Sequence, residues 1–278
     1  MTHKTDFLEK IVAQKKREVE ALRHSLENHQ AHPLNKLLRE GPQKKSSPSF
    51  KRALQRPGLS VIAEIKRRSP SKGVLAAIAD PVMLAHCYEQ SGAAAISILT
   101  DHFFFGGSLE DLSCVARAKE SSTKKSRITV PLLRKDFIID RLQVAEAALA
   151  GADAILAIIT VLGESTSTII EEAIQWGLDV LVEVHDTSEL QVALDAGSTM
   201  IGVNNRNLKT FEIDLQRALE LVEKIPKTIL KVAESGISTS QIAEHYYKAG
   251  FDAVLVGEAL VSSDDPKEFF QHTTSCKK

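Results

Sequence analysis

The stretch Ala150-Gly151-Ala152-Asp153-Ala154-Ile155-Leu156-Ala157-Ile158-Ile159 passes from the end of a helical pattern, through one glycine, into an unbroken apolar run. Glycine at that point supplies the left-handed turn that ends a helix. A short apolar run reads as a strand buried on both faces. The phrase recurs: Ser91-Gly92-Ala93, Ala196-Gly197 and Ala249-Gly250-Phe251-Asp252 introduce further strands in the same way. Strands are expected at 60–65, 94–99, 130–135, 154–159, 179–184, 200–204, 229–234 and 253–257. Helical spacing falls between them at 81–91, 143–150, 166–176, 188–196, 215–223 and 238–249. Parallel strands separated by helices are what such repeats build. Eight of them predict an α/β fold of the (β/α)8 TIM-barrel kind. An open doubly wound sheet is the alternative, but no GxGxxG follows the first strand.

The residues before the first strand form an extension to this barrel. Asp6 with Glu9 makes a helix cap and capping box. Leu8, Ile11, Val12, Val19, Leu22 and Leu26 then recur at helical spacing. A second short pattern, Leu34, Leu37 and Leu38, stops at Gly41-Pro42, and Lys44-Lys45-Ser46-Ser47-Pro48 reads as a polar connector. The expected division is an N-terminal helical extension over 1–47 and a catalytic barrel over 48–278. The charge run Lys15-Lys16-Arg17 reads as a solvated face.

Composition narrows the function classes. The chain has 278 residues, 43% of them hydrophobic, enough to bury a sizeable core. Its formal net charge of −1 points to neither nucleic acid nor a membrane surface. Cys87, Cys114 and Cys276 are scattered, with no CxxC, so neither a disulfide framework nor a structural zinc is expected. No apolar segment approaches membrane-spanning length and the polar start lacks a signal peptide's apolar core, so a cytoplasmic protein is expected.

The chemistry is written at the strand ends. In Val61-Ile62-Ala63-Glu64-Ile65-Lys66, Glu64 and Lys66 are two residues apart and therefore point the same way. Opposite charges at the end of an apolar strand must pair or meet a ligand. Lys135, Glu183, Asn204 and Glu234 end four other apolar strands. The C-terminal ends of the strands are where such barrels carry their working residues. Lys66 and Lys135 are candidate acids, and Glu64 and Glu183 candidate bases. Asn204 can orient a substrate, and Arg206 can fork onto a carboxylate.

The last two loops suit a phosphate. Glu234-Ser235-Gly236-Ile237-Ser238 and Val256-Gly257-Glu258-Ala259-Leu260 each place a glycine just before a helix, where free amides and the helix dipole favour an anion. Glu258 would repel a phosphate, so only its backbone N–H can help. Phe103-Phe104-Phe105 is either a lid packed on the barrel or a stacking surface for an aromatic ring. His102 reads as incidental, His185 as a brace for Glu183, and Trp176 as core.

The stretch Glu64-Ile65-Lys66-Arg67-Arg68-Ser69-Pro70-Ser71-Lys72-Gly73 resembles the signature of the indole-3-glycerol phosphate synthase family. Further matches are Leu99-Thr100-Asp101 with Phe105-Gly106-Gly107-Ser108-Leu109, and Leu133-Arg134-Lys135-Asp136-Phe137-Ile138. Val182-Glu183-Val184-His185, Ile201 to Leu208, and Glu234-Ser235-Gly236-Ile237 follow in the expected order. The resemblance implies ring closure, decarboxylation and dehydration of 1-(2-carboxyphenylamino)-1-deoxyribulose 5-phosphate to indole-3-glycerol phosphate, a carboxy-lyase step of tryptophan biosynthesis. It makes Lys135 the general acid and places Glu183 near the anilino nitrogen, with Glu64 and Lys66 serving later proton transfers. It gives Asn204, Ser69 and Arg206 to the substrate's carboxylate and hydroxyls, and Ser235, Gly236, Gly257 and Glu258 to the phosphate. Phe105 and Glu234 complete the expected substrate-binding set, and the extension is expected across the mouth of the site.

No metal or organic cofactor is expected. The expected partner is a phosphorylated small molecule, with no nucleic acid and no membrane, and the chain is expected to be a monomer or weak homo-oligomer. Three rivals stand beside this reading. A phosphoribosylanthranilate isomerase needs a cysteine base where Glu64 and Lys66 stand, and a thiamine-type phosphate barrel would lack that pair with Lys135. A catalytically silent phosphosugar-binding barrel would not need the acids and bases filled.

Overall fold

The computed structural model describes residues 7–42, 49–119, 127–263 and 265–273. The Asp6 cap, the connector from Lys44 to Pro48 and Cys276 lie outside them. Eight parallel strands close into a barrel: β1 (Ser60–Ile65), β2 (Ala95–Leu99), β3 (Leu132–Lys135), β4 (Ala154–Ile158), β5 (Asp179–Val184), β6 (Met200–Asn204), β7 (Leu230–Glu234) and β8 (Ala253–Val256). Each pairs with the next, and β8 returns to β1 with Ser60 opposite Ala253. The expected strands hold to within two residues. The largest difference is in β3, which starts at Leu132 because Pro131 has no N–H to give a ladder. The N–H of Leu132 goes instead to the Asp153 carboxylate at 2.8 Å.

Strand alternation explains the site. One set of side chains, among them Ile62, Leu133, Leu156, Leu181, Met200, Val232 and Leu255, packs together inside the barrel. The alternate set, Val61, Ala63, Ile65, Leu132, Val182, Ile201 and Val254, packs under the surrounding helices. Burying each large aliphatic side chain is worth about 1.5–3 kcal/mol. Two residues beyond the inner apolar set, on the same face, come Glu64, Lys135, Glu183 and Glu234. The inward rows of β1, β3, β5 and β7 thus run from hydrocarbon into charge.

Helix Phe50–Leu54 closes the opposite end of the barrel, with Phe50 and Leu54 buried in the inner cluster. Its cap, Ser49, donates to Asp179 at 2.7 Å, tying the closure to the start of β5. At the mouth lies helix α1 (Phe7–Asn28), followed by α2 (Pro33–Glu40), which ends at Gly41 as the spacing predicts. Periodicity did not single out the helices His102–Phe105, Leu109–Ala118, Ile159–Leu162, Glu258–Val261 and Pro266–Thr273.

The reading of Lys15 as part of a solvated face is overturned. Lys15 is 1% exposed, and its ammonium lies 2.8 Å from Asp101, 2.9 Å from Asp136 and 2.8 Å from Glu18. Its position gives the reason. Residues 8, 11, 15, 19 and 26 share one helix face, so Lys15 sits on the apolar stripe itself and must be met by carboxylates when the stripe is buried.

Candidate active site

A cavity of about 540 Å³ opens at the C-terminal ends of the strands. Its walls contain every residue predicted for the site: Glu64, Lys66, Ser69, Phe105, Lys135, Glu183, Asn204, Arg206, Glu234, Ser235, Gly236, Gly257 and Glu258. Leu8 and Ile11 of α1 line it too, so the extension does reach across the mouth.

At the floor, the Lys135 ammonium stands between two buried carboxylates, 3.2 Å from Glu183 and 3.4 Å from Glu234. Burial alone would depress its pKa, but Glu183, Glu234 and Glu64 together hold it above the usual lysine range. Glu183 is also opposed by burial, yet Lys135, His185 and Asn204 keep it below the usual carboxylate range. Glu234 goes the other way. Burial, with the negative charge of Glu183 added, outweighs Lys135 and pushes it up to about 8. Near neutrality the cluster therefore holds an ammonium, a carboxylate and a protonated carboxyl.

Two glycines make room for these carboxylates. A Cβ on Gly202 would fall 2.0 Å from Glu234 Oε1, and one on Gly257 would fall 2.2 Å from Glu64 Oε1. Glu64 pairs with Lys66 at 2.5 Å, and the pair faces the cavity. The pair is both an ion pair and part of the cavity wall. Gly257 thus has a steric duty beside any close approach to an anion.

The loop after β7 is held open by Asn205, a fully buried residue. Its amide donates to the carbonyls of Glu234 and Ser235, each at 3.1 Å, while its Oδ1 accepts from Ala218 N–H at 3.2 Å. Ser235 and Gly236 both have left-handed backbone, with φ of 66° and 79°. A Cβ on Gly236 would fall 2.6 and 2.7 Å from Leu215 and Ile213, which therefore pack directly on this glycine. Glu258 is engaged by an ion pair with Lys72, which answers the repulsion expected of an acid at a phosphate loop. Arg206 donates to Ser71 Oγ and to the Phe211 carbonyl, both at 3.2 Å, drawing the loops after β1 and β6 together.

The aromatic turn is divided between packing and the cavity wall. Asp101 caps the helix His102–Phe105, accepting from Phe104 and Phe105 N–H at 2.7 and 3.1 Å. Phe104 packs inward against Phe7 of α1, at 5.2 Å between ring centroids, while Phe105 lines the cavity near Phe137. His102 is not among the lining residues, and Trp176 is buried, donating to Glu172 at 2.7 Å.

Sequence reasoning missed Lys15, Asn205, Gly202, Lys72 and Phe211. Gly202 interrupts an apolar strand, a signal of close approach by a neighbouring side chain. Phe211 lines the cavity with φ of 62°, and no residue type announces a left-handed phenylalanine.

Comparison with known proteins gives the family. Residues 8–273 match the family model described as indole-3-glycerol phosphate synthase. The chain belongs to the indole-3-glycerol phosphate synthase family. An indole-3-glycerol phosphate synthase from a Parafrankia species is 49% identical over 217 residues, covering 78% of each chain. One from Thermoanaerobacter pseudethanolicus is 41% identical over 258 residues, covering 93% of each. The match starts at Leu8, so the indole-3-glycerol phosphate synthase unit takes in α1 as well as the barrel. Among solved structures, 3-hexulose-6-phosphate synthase from Salmonella typhimurium superposes with a TM-score of 0.61 at 15% identity, covering 78% of this chain and 97% of that one. That likeness is one of fold alone.

Proposed function

We propose that this chain closes the indole ring of indole-3-glycerol phosphate, converting 1-(2-carboxyphenylamino)-1-deoxyribulose 5-phosphate to that product, carbon dioxide and water. The observation that carries this reading is Lys135, an ammonium held between the buried carboxylate of Glu183 and the buried carboxyl of Glu234 at the floor of a largely apolar cavity. Attack of the anthranilate ring carbon on the ketone builds negative charge on oxygen. An ammonium 3–4 Å from its carboxylates is preorganised to meet that charge. Its raised pKa keeps the ammonium charged until the alkoxide, a stronger base than the ketone, has developed. Its part is first to stabilise that charge and then to give up the proton.

The remaining roles follow the charges. Glu183, kept ionised, stands beside the cation that forms at the anilino nitrogen as the ring closes. Loss of carbon dioxide returns electrons to the ring, and an apolar wall around the departing carboxylate favours that step. Dehydration then needs a base for a ring proton and an acid for the leaving hydroxide, roles assigned to the Glu64–Lys66 pair. Asn204, Ser69 and Arg206 orient the sugar and carboxylate, Phe105 packs on the anthranilate, and the backbones of Ser235, Gly236, Gly257 and Glu258 receive the phosphate. The division into an N-terminal helical extension over 1–47, described from residue 7 to 42, and a catalytic barrel over 48–278 belongs to this reading.

No helix among the described residues is long and apolar enough to cross a membrane. A phosphorylated small-molecule substrate, a cytoplasmic setting and a monomer or weak homo-oligomer complete the reading. Purified protein given the carboxyphenylamino ribulose phosphate should release carbon dioxide and an indole chromophore in equal amounts. Binding without turnover would favour a silent phosphosugar barrel instead.

A further inference from the structure

His185 follows β5 two residues after Glu183 and is not among the residues lining the cavity. Its Nε2 lies 3.5 Å from Glu183 Oε1, and its Nδ1 lies 3.0 Å from Glu189 Oε2. Glu189 is itself fixed, accepting from the His185 backbone N–H at 2.7 Å and from the Thr160 hydroxyl at 2.6 Å. An ionised carboxylate only accepts, so Nδ1 must carry a hydrogen toward Glu189. A neutral ring would then turn the Nε2 lone pair onto Glu183 Oε1. Neither of those two buried atoms has a hydrogen-bond partner among the described residues. Only the imidazolium turns an N–H toward each carboxylate, in a hydrogen bond to Glu189 and at ion-pair distance from Glu183.

The wider surroundings agree. Glu234 from β7 adds negative charge only above its raised pKa, Asp186 lies at the start of the next helix, and Lys135 is engaged with the other oxygen of Glu183. Burial alone would lower the His185 pKa, but Glu189 and Glu183 outweigh it and hold it above the ordinary histidine range.

This matters when Lys135 reacts. The proton passes from Lys135 Nζ to the ketone oxygen, and with it goes the counter-charge of Glu183 Oε2. Building on the function given above, we propose that His185, held as an imidazolium by Glu189, is a positioning residue that keeps Glu183 ionised through that step. No proton leaves His185. Its charge simply remains when that of Lys135 is gone.

Ring 15N shifts of labelled histidine, followed from pH 6 to 9, read the protonation state directly. In the wild type both His185 nitrogens should be protonated at pH 7.5, and Glu189→Gln should make the ring neutral at that pH. His185→Asn should lower kcat by roughly 10–100-fold, as for outer groups that orient a reacting residue. KM should stay within about twofold, the mark of an effect confined to the transition state. The acid limb of its kcat profile should move to higher pH, because Glu183 ionises later. His185→Gln repeats the test should the asparagine variant fail to fold. A neutral His185 at pH 7.5 in an active wild type, or unchanged kcat in either variant, would overturn the proposal alone. A wild type with no turnover would overturn it together with the function it builds on.

Discussion

Lys15 and Asp136 meet at 2.9 Å across the seam between α1 and the loop that follows Lys135. The same ammonium also reaches Asp101, whose other carboxylate oxygen caps the turn carrying Phe105. One side chain of the extension thus fixes two loops of the barrel mouth, and removing it takes the ion pair from Asp101 and leaves Asp136 with Arg134 alone.

Lys15→Met should therefore lower the unfolding free energy by about 3–5 kcal/mol, the cost of breaking a buried pair from one side. Asp136 adds a pH signature. Burial opposes its ionisation, but Arg134 and Lys15 hold its pKa down at about 2 against an ordinary 3.8. A depressed carboxyl contributes stability above its unfolded pKa and loses it as pH falls from 3.8 through 2. Urea titrations at pH 7 and across that acid window should show the loss shrinking in Lys15→Met. A variant within about 1 kcal/mol of wild type at pH 7 would mean the ion pairs contribute little.

Glu234 should carry a proton at pH 6. Its folded pKa is raised from 4.5 to about 8, so the folded chain binds the proton more tightly. The stability this gives is complete below 4.5 and lost as pH rises through 8. Infrared difference spectra should show a protonated carboxyl band at pH 6 that fades by pH 9 and is missing in Glu234→Gln. A spectrum with no such band at pH 6 would show that both carboxylates beside Lys135 are ionised.

The architecture was legible because its signal is local and repeated: a helix, a glycine, an apolar run. Glu64, Lys135, Glu183, Asn204 and Glu234 could be placed at the cavity because alternation turns a polar side chain at an inward strand end into it. The loop residues predicted beside them came from the glycines before helices and from the family likeness. What escaped depends on tertiary partners. Lys15 looks like any lysine in a charge run until the barrel places Asp101 and Asp136 opposite its stripe. Asn205 belongs to a segment quoted for its family likeness, yet its work is done through Glu234, Ser235 and Ala218, each far along the chain. The short helices at the mouth span about one turn each, too brief for a periodicity to show.

Gly257→Ala tests the steric reading of the phosphate loops. Its backbone is unstrained, with φ of −118°, so the effect must come from the new methyl. That methyl would fall 2.2 Å from Glu64 Oε1 and 3.1 Å from Lys66 Nζ, forcing their ion pair apart. Overpacking of this kind should cost about 1–3 kcal/mol of stability. Activity should fall as well, through kcat, because the displaced groups are those assigned to the dehydration. Full activity with normal stability would show that Glu64 can move aside freely and that its observed position is not required.

Lys135→Ala is the most direct test of the whole account. The measurement is the rate of indole product formation from the carboxyphenylamino ribulose phosphate at saturating substrate, beside a calorimetric check that the folded variant still binds it. The wild type should turn over, and the variant should lose roughly 10²–10⁴-fold in kcat, as expected for a positioned general acid. A folded variant that forms product at nearly the wild-type rate would contradict the assignment of Lys135, and with it the reading of the cavity floor as the catalytic centre.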